Sequence, residues 1–382
     1  LTTKLLPKLT SICKSKTYRC DAGKTGKSLL RLPQTLAGAF LFLISVQASA
    51  FPGAIRKNYP SCVACHVNPT GGGVLTAYGR EAGDQFLPAW YADGESQSLY
   101  GLAAANETLL IGGDIRWADL QRRKDGKLSE RAFLMIADVE PALKIGNFTL
   151  AAQAGRYAVG KDHVFQNRRA YGLYEFGDSG FRLKAGKFIP AYGLNIPNHT
   201  AGIRDALGLG QGQEKETVEL SLIGKYGEAF LGAFQGEAAQ GANLRMGWYA
   251  TKNLHLGVNF LWRKEILDQY RFLGGLYTAW GITNHLWLLF ECDYEARFDE
   301  FGYYEQSQGV NYLNIGLDVA RGVQTTLTFQ SSLNDKLQTE QRVSAGIGFI
   351  PRPHLELTFD YGLAKTGNKI STFALWMAHY WL

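Results

Sequence analysis

Cysteine is scarce in this chain of 382 residues: Cys13, Cys20, Cys62, Cys65 and Cys292 are all there is. A disulfide-dense scaffold is therefore excluded. Proline is scarce too, at 11 residues. No apolar run approaches the ~18 residues of a membrane helix, which excludes a bundle of such helices. Positive charge is scarcer than the total suggests. The formal +6 comes from 40 Lys and Arg against 34 Asp and Glu, but the first fifty residues hold eight of those bases and only one acid, Asp21. The rest of the chain carries 32 against 33. A near-neutral remainder removes the case for a nucleic-acid partner. What the chain has in quantity is glycine, at 44, with 19 Tyr, 21 Phe and 8 Trp. That balance suits β-structure better than disorder.

The first fifty residues read as a leader. Lys24, Lys27 and Arg31 precede an apolar stretch from Leu36 to Val46, and Ala48-Ser49-Ala50 follows. A basic region, a short apolar core and a small-residue site predict a secretory signal peptide cut after Ala50. A membrane anchor would need a longer stretch. Gly23 to Ser28 imitates a phosphate-binding loop, but Asp21 stands where its first Gly is required. The working chain is thus expected to begin near Phe51, in an exported and oxidising compartment.

Just past that point the chain reads Cys62-Val63-Ala64-Cys65-His66. Cys-x-x-Cys-His is the attachment sequence for a c-type haem. Two thiols on one helical turn reach both vinyl groups of one porphyrin, and the adjacent His66 reaches the iron as proximal ligand. A redox dithiol would call for a βαβ context. A structural zinc would need two more ligands nearby, and the next cysteine is Cys292. One motif implies one covalent haem c. Residues 51–98 are few for a domain with a core of its own. Gly71-Gly72-Gly73 predicts a tight turn or a close approach of backbone to porphyrin. Arg80 is a candidate partner for a haem propionate. No Met or other His lies between Val67 and Leu134. The iron is either five-coordinate or takes its sixth ligand from far along the chain.

From about residue 108 a two-residue period takes over. Leu355, Leu357, Phe359, Tyr361 and Leu363 alternate with His354, Glu356, Thr358, Asp360 and Gly362. Similar alternation runs through Leu254 to Trp262, Leu286 to Glu295 and Val323 to Ser331. The pattern predicts about sixteen antiparallel strands of about 9–14 residues, enough to span an outer membrane. Tight links are expected near 144–147, 176–180, 225–228, 251–253, 282–285, 321–323 and 350–353. Longer polar ones are expected near 121–130, 158–166, 191–215, 236–242, 263–270, 297–308, 332–339 and 364–369. Short turns at one end and long loops at the other are the outer-membrane arrangement. The terminal alternation of Ala374, Trp376, Ala378, Tyr380 and Leu382 resembles the closing strand of bacterial outer-membrane proteins. A soluble sandwich would also alternate, but no fixed-period repeat supports a propeller. The fold class expected is all-β, a transmembrane barrel, with a leader at 1–50, a monohaem segment at 51–98 and the barrel at 99–382.

The alternation places His255, His285, His354 and His379 on the polar face near the periplasmic mouth, and His163 and His199 in outer loops. His199 lies in the longest loop, from Tyr192 to Glu214, which resembles porin loops that fold into the pore. It is a candidate distal ligand or gate. Met135, Met246 and Met377 are weaker ligand candidates, since Met135 and Met246 are expected to face lipid. Glu291, Asp293, Glu295, Glu356 and Asp360 point into the lumen, where they would attract cations.

The stretch Ala54-Ile55-Arg56-Lys57 and Tyr59, leading into Cys62-Val63-Ala64-Cys65-His66 with Pro69 and Tyr78-Gly79 downstream, resembles the fused outer-membrane cytochrome–porin family. Its members are associated with extracellular electron transfer, best known in iron-oxidising bacteria. The resemblance implies a barrel in the outer-membrane lipid, with Cys62, Cys65 and His66 holding the haem. It also implies electron exchange between a periplasmic carrier cytochrome and an extracellular metal ion or other redox partner, with Fe(II) oxidation as one activity. Gly71-Gly72-Gly73 is not a mark of the iron-oxidising members, so donor and direction stay open. The alternative is a solute-conducting porin with a haem-bearing plug or sensor. A haem peroxidase is a third reading, but no distal Arg-His pair lies near the motif.

Overall fold

A computed structural model of the chain describes residues 52–382 apart from 93, 96, 98–106, 160–161, 197–201, 238, 266–268 and 336–338. The leader and His199 lie outside the described residues.

Strict alternation lets one strand satisfy two media, and here it closes into a barrel. Sixteen antiparallel strands pair each with the next in sequence: β1 Leu109–Lys124, β2 Lys127–Ile145, β3 Phe148–Val159, β4 Asp162–Glu175, β5 Phe181–Phe188, β6 Lys215–Gly224, β7 Gly227–Gln235, β8 Ala239–Thr251, β9 Leu254–Glu265, β10 Tyr270–Gly281, β11 Leu286–Phe298, β12 Tyr304–Ala320, β13 Val323–Asn334, β14 Thr339–Phe349, β15 Leu355–Thr366 and β16 Lys369–Trp381. β1 meets β16 from Asp114 opposite Trp381 to Lys124 opposite Ser371. Closure leaves no unpaired edge, which a lipid environment demands. On β15, Tyr361 and Leu363 are each 50% exposed on the outer surface, while Glu356 and Thr358 are 4% and 5% exposed on the inner one. The expected faces hold.

The expected loop pattern holds only in part. The tight links fall where the turn residues put them, at the end of the barrel that carries the start of β1 and the end of β16. By the outer-membrane pattern this end is periplasmic. Most opposite links are short as well. Asp125 and Gly126 alone connect β1 to β2, with φ of 50° and 76°. Two left-handed residues are what a two-residue hairpin requires. Strands β1, β2, β15 and β16 therefore run through segments expected as loops at 121–130 and 364–369, and His163 lies in β4 rather than a loop. Charged alternation above the membrane keeps a strand just as it would a loop, so polarity alone misplaced those ends. Strand lengths consequently range from the eight residues of β5 to the nineteen of β2. β2 also carries a bulge. Ile136 pairs with Arg116 and Leu134 with Trp117, leaving Met135 unmatched. The extra residue swaps the faces of the strand above it.

One outer link is long. Of this link, the described residues 189–196 and 202–214 leave the wall and fold into the lumen, as expected, with a short helix at Gly202–Ala206. The inner faces of β9 to β12 receive this loop with apolar side chains at lumen positions, among them Leu261, Leu273, Trp287 and Tyr312. Leu194, Ile203 and Leu207 of the loop pack into the same cluster. Full burial of such a side chain contributes about 1.5–3 kcal/mol.

The N-terminal segment fills the lumen from the other end. A 3-10 turn at Pro52–Lys57 puts Ile55 into that cluster. Arg56 donates from Nε and Nη2 to the Asp318 carboxylate at 2.7 and 2.9 Å and lies over the Trp287 ring at 4.3 Å. Helix α1, Ala77–Phe86, starts where Thr76 Oγ1 accepts from the Gly79 amide at 3.0 Å. Past it, Ala89 and Trp90 donate to the carbonyls of Ile350 and Pro351 in a periplasmic turn at 2.7 and 3.1 Å.

Candidate functional site

The Cys-x-x-Cys-His sequence forms one 3-10 turn at Cys62–Ala64. The amides of Cys65 and His66 both donate to the Cys62 carbonyl, at 3.2 and 3.0 Å. The chain then makes a miniature hairpin. Val67 donates to Val74 at 3.0 Å, Thr76 donates to Cys65 at 2.9 Å, and His66 bridges to Leu75. Its loop is the glycine run. Gly71, Gly72 and Gly73 have φ of 84°, 74° and 69°, a left-handed stretch that only glycine takes without strain. A Cβ on Gly73 would collide with the Glu140 carboxylate, and one on Gly71 would press on Cys62 Sγ at 3.1 Å. The run is a close approach, as expected, but to the β2 wall and to the cysteine itself. Gly79 has the same character: a Cβ there would strike the Cys65 backbone.

Distant strands fix this hairpin. Lys184 of β5, itself paired with Glu219 at 3.1 Å, donates to Asn68 Oδ1 at 3.0 Å. Asn68 in turn donates to the Gly71 carbonyl at 2.8 Å. Asn195 of the inward loop donates to the carbonyls of Thr70 and Gly71 at 2.7 and 3.0 Å. Arg169 holds Glu140 at 2.6 Å beneath Gly73. The inward loop and the motif are thus one packed unit.

His66 is buried and borders a cavity of 530 Å³ at the periplasmic ends of β1 to β5. That is within the usual range for cofactor pockets, about 300–1,000 Å³. Val63, Val67, Leu110 and Leu173 give its wall an apolar part. Lys144 and Arg182 bring positive charge, both bound to Glu175, at 3.6 and 3.0 Å. Burial pushes the His66 pKa down to about 4, so its imidazole is neutral, with a lone pair to donate, at ordinary pH. Burial pushes the Cys62 thiol up to about 12 and raises Cys65 as well. A reactive dithiol usually has a lowered thiol pKa, and burial here works the other way.

Other sequence candidates are employed elsewhere. Arg80 is buried and donates to the Ile111 carbonyl; Lys144 and Arg182 hold the place at the cavity that Arg80 was expected to take. His379 sits between Glu356 and Asp114. His255 is 3.4 Å from the Tyr277 hydroxyl, His354 bonds to the Glu95 carbonyl, and His163 bonds to the Leu134 carbonyl. None of these, and none of the methionines, borders the cavity among the described residues. The acids are committed too. Glu291 accepts from the Leu194 amide at 2.7 Å and Asp293 from the Tyr192 hydroxyl at 2.9 Å, which ties down the inward loop. Glu295 pairs with Arg271 and Arg297. They anchor structure rather than offering a cation path.

Solved structures resembling this chain are outer-membrane channels. An anion-selective porin from Comamonas acidovorans superposes with a TM-score of 0.60 at 11% identity, over 72% of this chain and 99% of that one. OmpT of Vibrio cholerae, in its trimer form, gives 0.59 and 11% over 72% and 99%. The outer-membrane channel DcaP of Acinetobacter baumannii gives 0.57 and 12% over 72% and 97%. At these identities the likeness is one of fold: a 16-strand barrel of porin type, seated in the bacterial outer membrane. No protein-family model and no curated protein matches the chain.

Proposed function

We propose that this barrel houses one covalently attached haem c and carries electrons across the outer membrane. The observation that supports the reading most is the meeting of the Cys62-x-x-Cys65-His66 turn with a 530 Å³ cavity bordered by His66. The residues there fit the group. Cys62 and Cys65 would hold it by thioethers and the His66 imidazole by its ring nitrogen. Val63, Val67, Leu110 and Leu173 would face its apolar ring, and Lys144 and Arg182 would meet its carboxylates. When bound, the group supplies one-electron iron chemistry. The chain's own part is to fix His66, to keep its imidazole neutral and to exclude water with the packed inward loop. The cavity's periplasmic position suits exchange with a soluble carrier cytochrome, and an extracellular metal ion or other redox partner would stand at the opposite mouth.

Visible spectra of the purified protein in both redox states test this. Sharp c-type bands that vanish in Cys62→Ser/Cys65→Ser are expected, and their absence from the native protein overturns it. The second reading is solute passage, with the N-terminal segment as plug or sensor. The structural comparisons lean that way, because the proteins they bring up are channels and porins. Planar-bilayer recordings separate the two. Large steady currents through the intact protein would sink the electron conduit and favour the channel.

A further inference from the structure

One sector of the outer rim carries mostly positive charge on its inner face. The acids deeper in the lumen are tied to loop amides, Tyr192, Arg271, Arg297 and His379. At the outer ends of β1, β2, β14 and β16 the inner face carries Arg122, Lys124, Lys127, Arg131, Arg342 and Lys369. Register sets these directions. Arg122 pairs with Ser129, Lys124 with Lys127, and Leu120 with Arg131 on β2, and Lys124 lies opposite the buried Ser371 of β16. The bulge at Met135 is what turns Lys127, Ser129 and Arg131 inward, since below it the even residues Ile136 and Glu140 are the buried ones. Contacts agree: Arg122 reaches Ser371 Oγ at 3.5 Å, and Arg342 lies over the Phe373 ring at 5.6 Å. Against these six cations stand Asp125, 4.0 Å from Lys369, Glu340 on the same face, and Asp205 of the inward loop, which faces Arg342. Arg122, Lys124, Asp125, Lys127 and Ser129, all exposed, line an open pocket of 460 Å³.

We propose that this hairpin forms an outer anion-binding site for a small multivalent oxyanion, such as a polycarboxylate, free or chelating a metal. An Arg fork, two ammonium groups and the Ser129 hydroxyl line one pocket beside a single carboxylate, Asp125, and are donors of the kind such an anion uses. Clefts lined by one sign of charge draw the opposite ion toward them. The alternative source of anionic groups, lipid headgroups, would meet the outward face, where register puts Arg123 and Lys365. The site rests on the rim geometry alone and stands or falls independently of the haem. If the conduit reading also holds, the external redox partner is an anion or an anionic chelate rather than a bare cation.

Calorimetric titration of the full-length protein in detergent at low ionic strength, with citrate as probe, tests the site. Citrate is expected to bind, to weaken steeply with added salt, and to weaken about tenfold or more in R122Q/K124Q/K127Q. R123Q/K365Q is expected to bind as the parent does. Heat-dependent gel mobility shows whether each barrel is folded, and K127Q alone serves if the triple variant is not. No citrate binding by the parent, equal binding by the folded inner-face variants, or loss only in R123Q/K365Q each overturns the proposal. Repeating the titration with Cys62→Ser/Cys65→Ser, in which binding is expected to persist, separates this outcome from failure of the haem reading.

Discussion

Two walls of one lumen are built on opposite terms. Along β9 to β12 the inner face is finished: Leu261, Leu273, Trp287 and Tyr312 pack against Ile55 and the inward loop, and Glu291 and Asp293 are bonded to loop groups. Along β1 to β5 the inner face stops short and leaves a cavity beside His66. The first wall holds the inserted segments; the second leaves room for something else. The difference teaches that in a filled barrel the candidate chemistry is marked by where packing is incomplete, not by where polar residues are most numerous.

Four substitutions put that contrast at risk. The largest effect is expected on the open wall: Cys62→Ser/Cys65→Ser should abolish the proposed covalent haem, read by in-gel haem staining, while gel mobility shows an intact barrel. On the finished wall, Arg56→Ala breaks a buried ion pair to Asp318. Removing one partner of such a pair costs about 3–5 kcal/mol, and Lys57, 3.5 Å from Asp318, should keep the loss at the lower end. Hydrogen exchange across residues 52–60 should show the loosening. Gly73→Ala forces a left-handed backbone on a residue that resists it, at about 1–3 kcal/mol, and drives a methyl into Glu140. Faster proteolysis within residues 66–75 is expected, and unchanged cleavage would dissolve the close-approach argument. The smallest effect belongs to Lys144→Ala. Its pair with Glu175 is half-exposed, so barrel stability changes by about 1 kcal/mol or less. The midpoint potential of the proposed haem should still fall, because a nearby positive charge disfavours the oxidised iron. A potential that does not move would detach Lys144 from the site.

Much of this was legible in the residues. Alternation such as Leu355 to Leu363 against Glu356 and Asp360 specified the faces, and the number of such runs specified sixteen strands. The inward course of the 189–214 loop was legible in its Ile and Leu content. What escaped depends on partners far apart in sequence. Trp287 and Leu289 occupy lumen positions, which looks like a fault in the pattern until Ile55 and the loop arrive to cover them. Glu291 and Asp293 looked like a cation path because nothing local announces that Leu194 and Tyr192 will claim them. Lys144 and Arg182 stood apart from the motif for the same reason. Met135 was expected to face lipid, and nothing in its neighbours foretold that it would be the residue left over in a bulge.

The unequal strands shape the rim. At roughly 3.3 Å per residue, the nineteen residues of β2 extend about 60 Å along the strand, whereas the eight of β5 extend about 26 Å. Strand tilt shortens both in height, but the apolar band they cross is only about 25 Å tall. The outer opening is accordingly cut obliquely, low at β5 and high at β1 and β2. A body approaching from outside touches the tall hairpin first, well clear of the lipid, much as a hull meets a mast before it meets the deck.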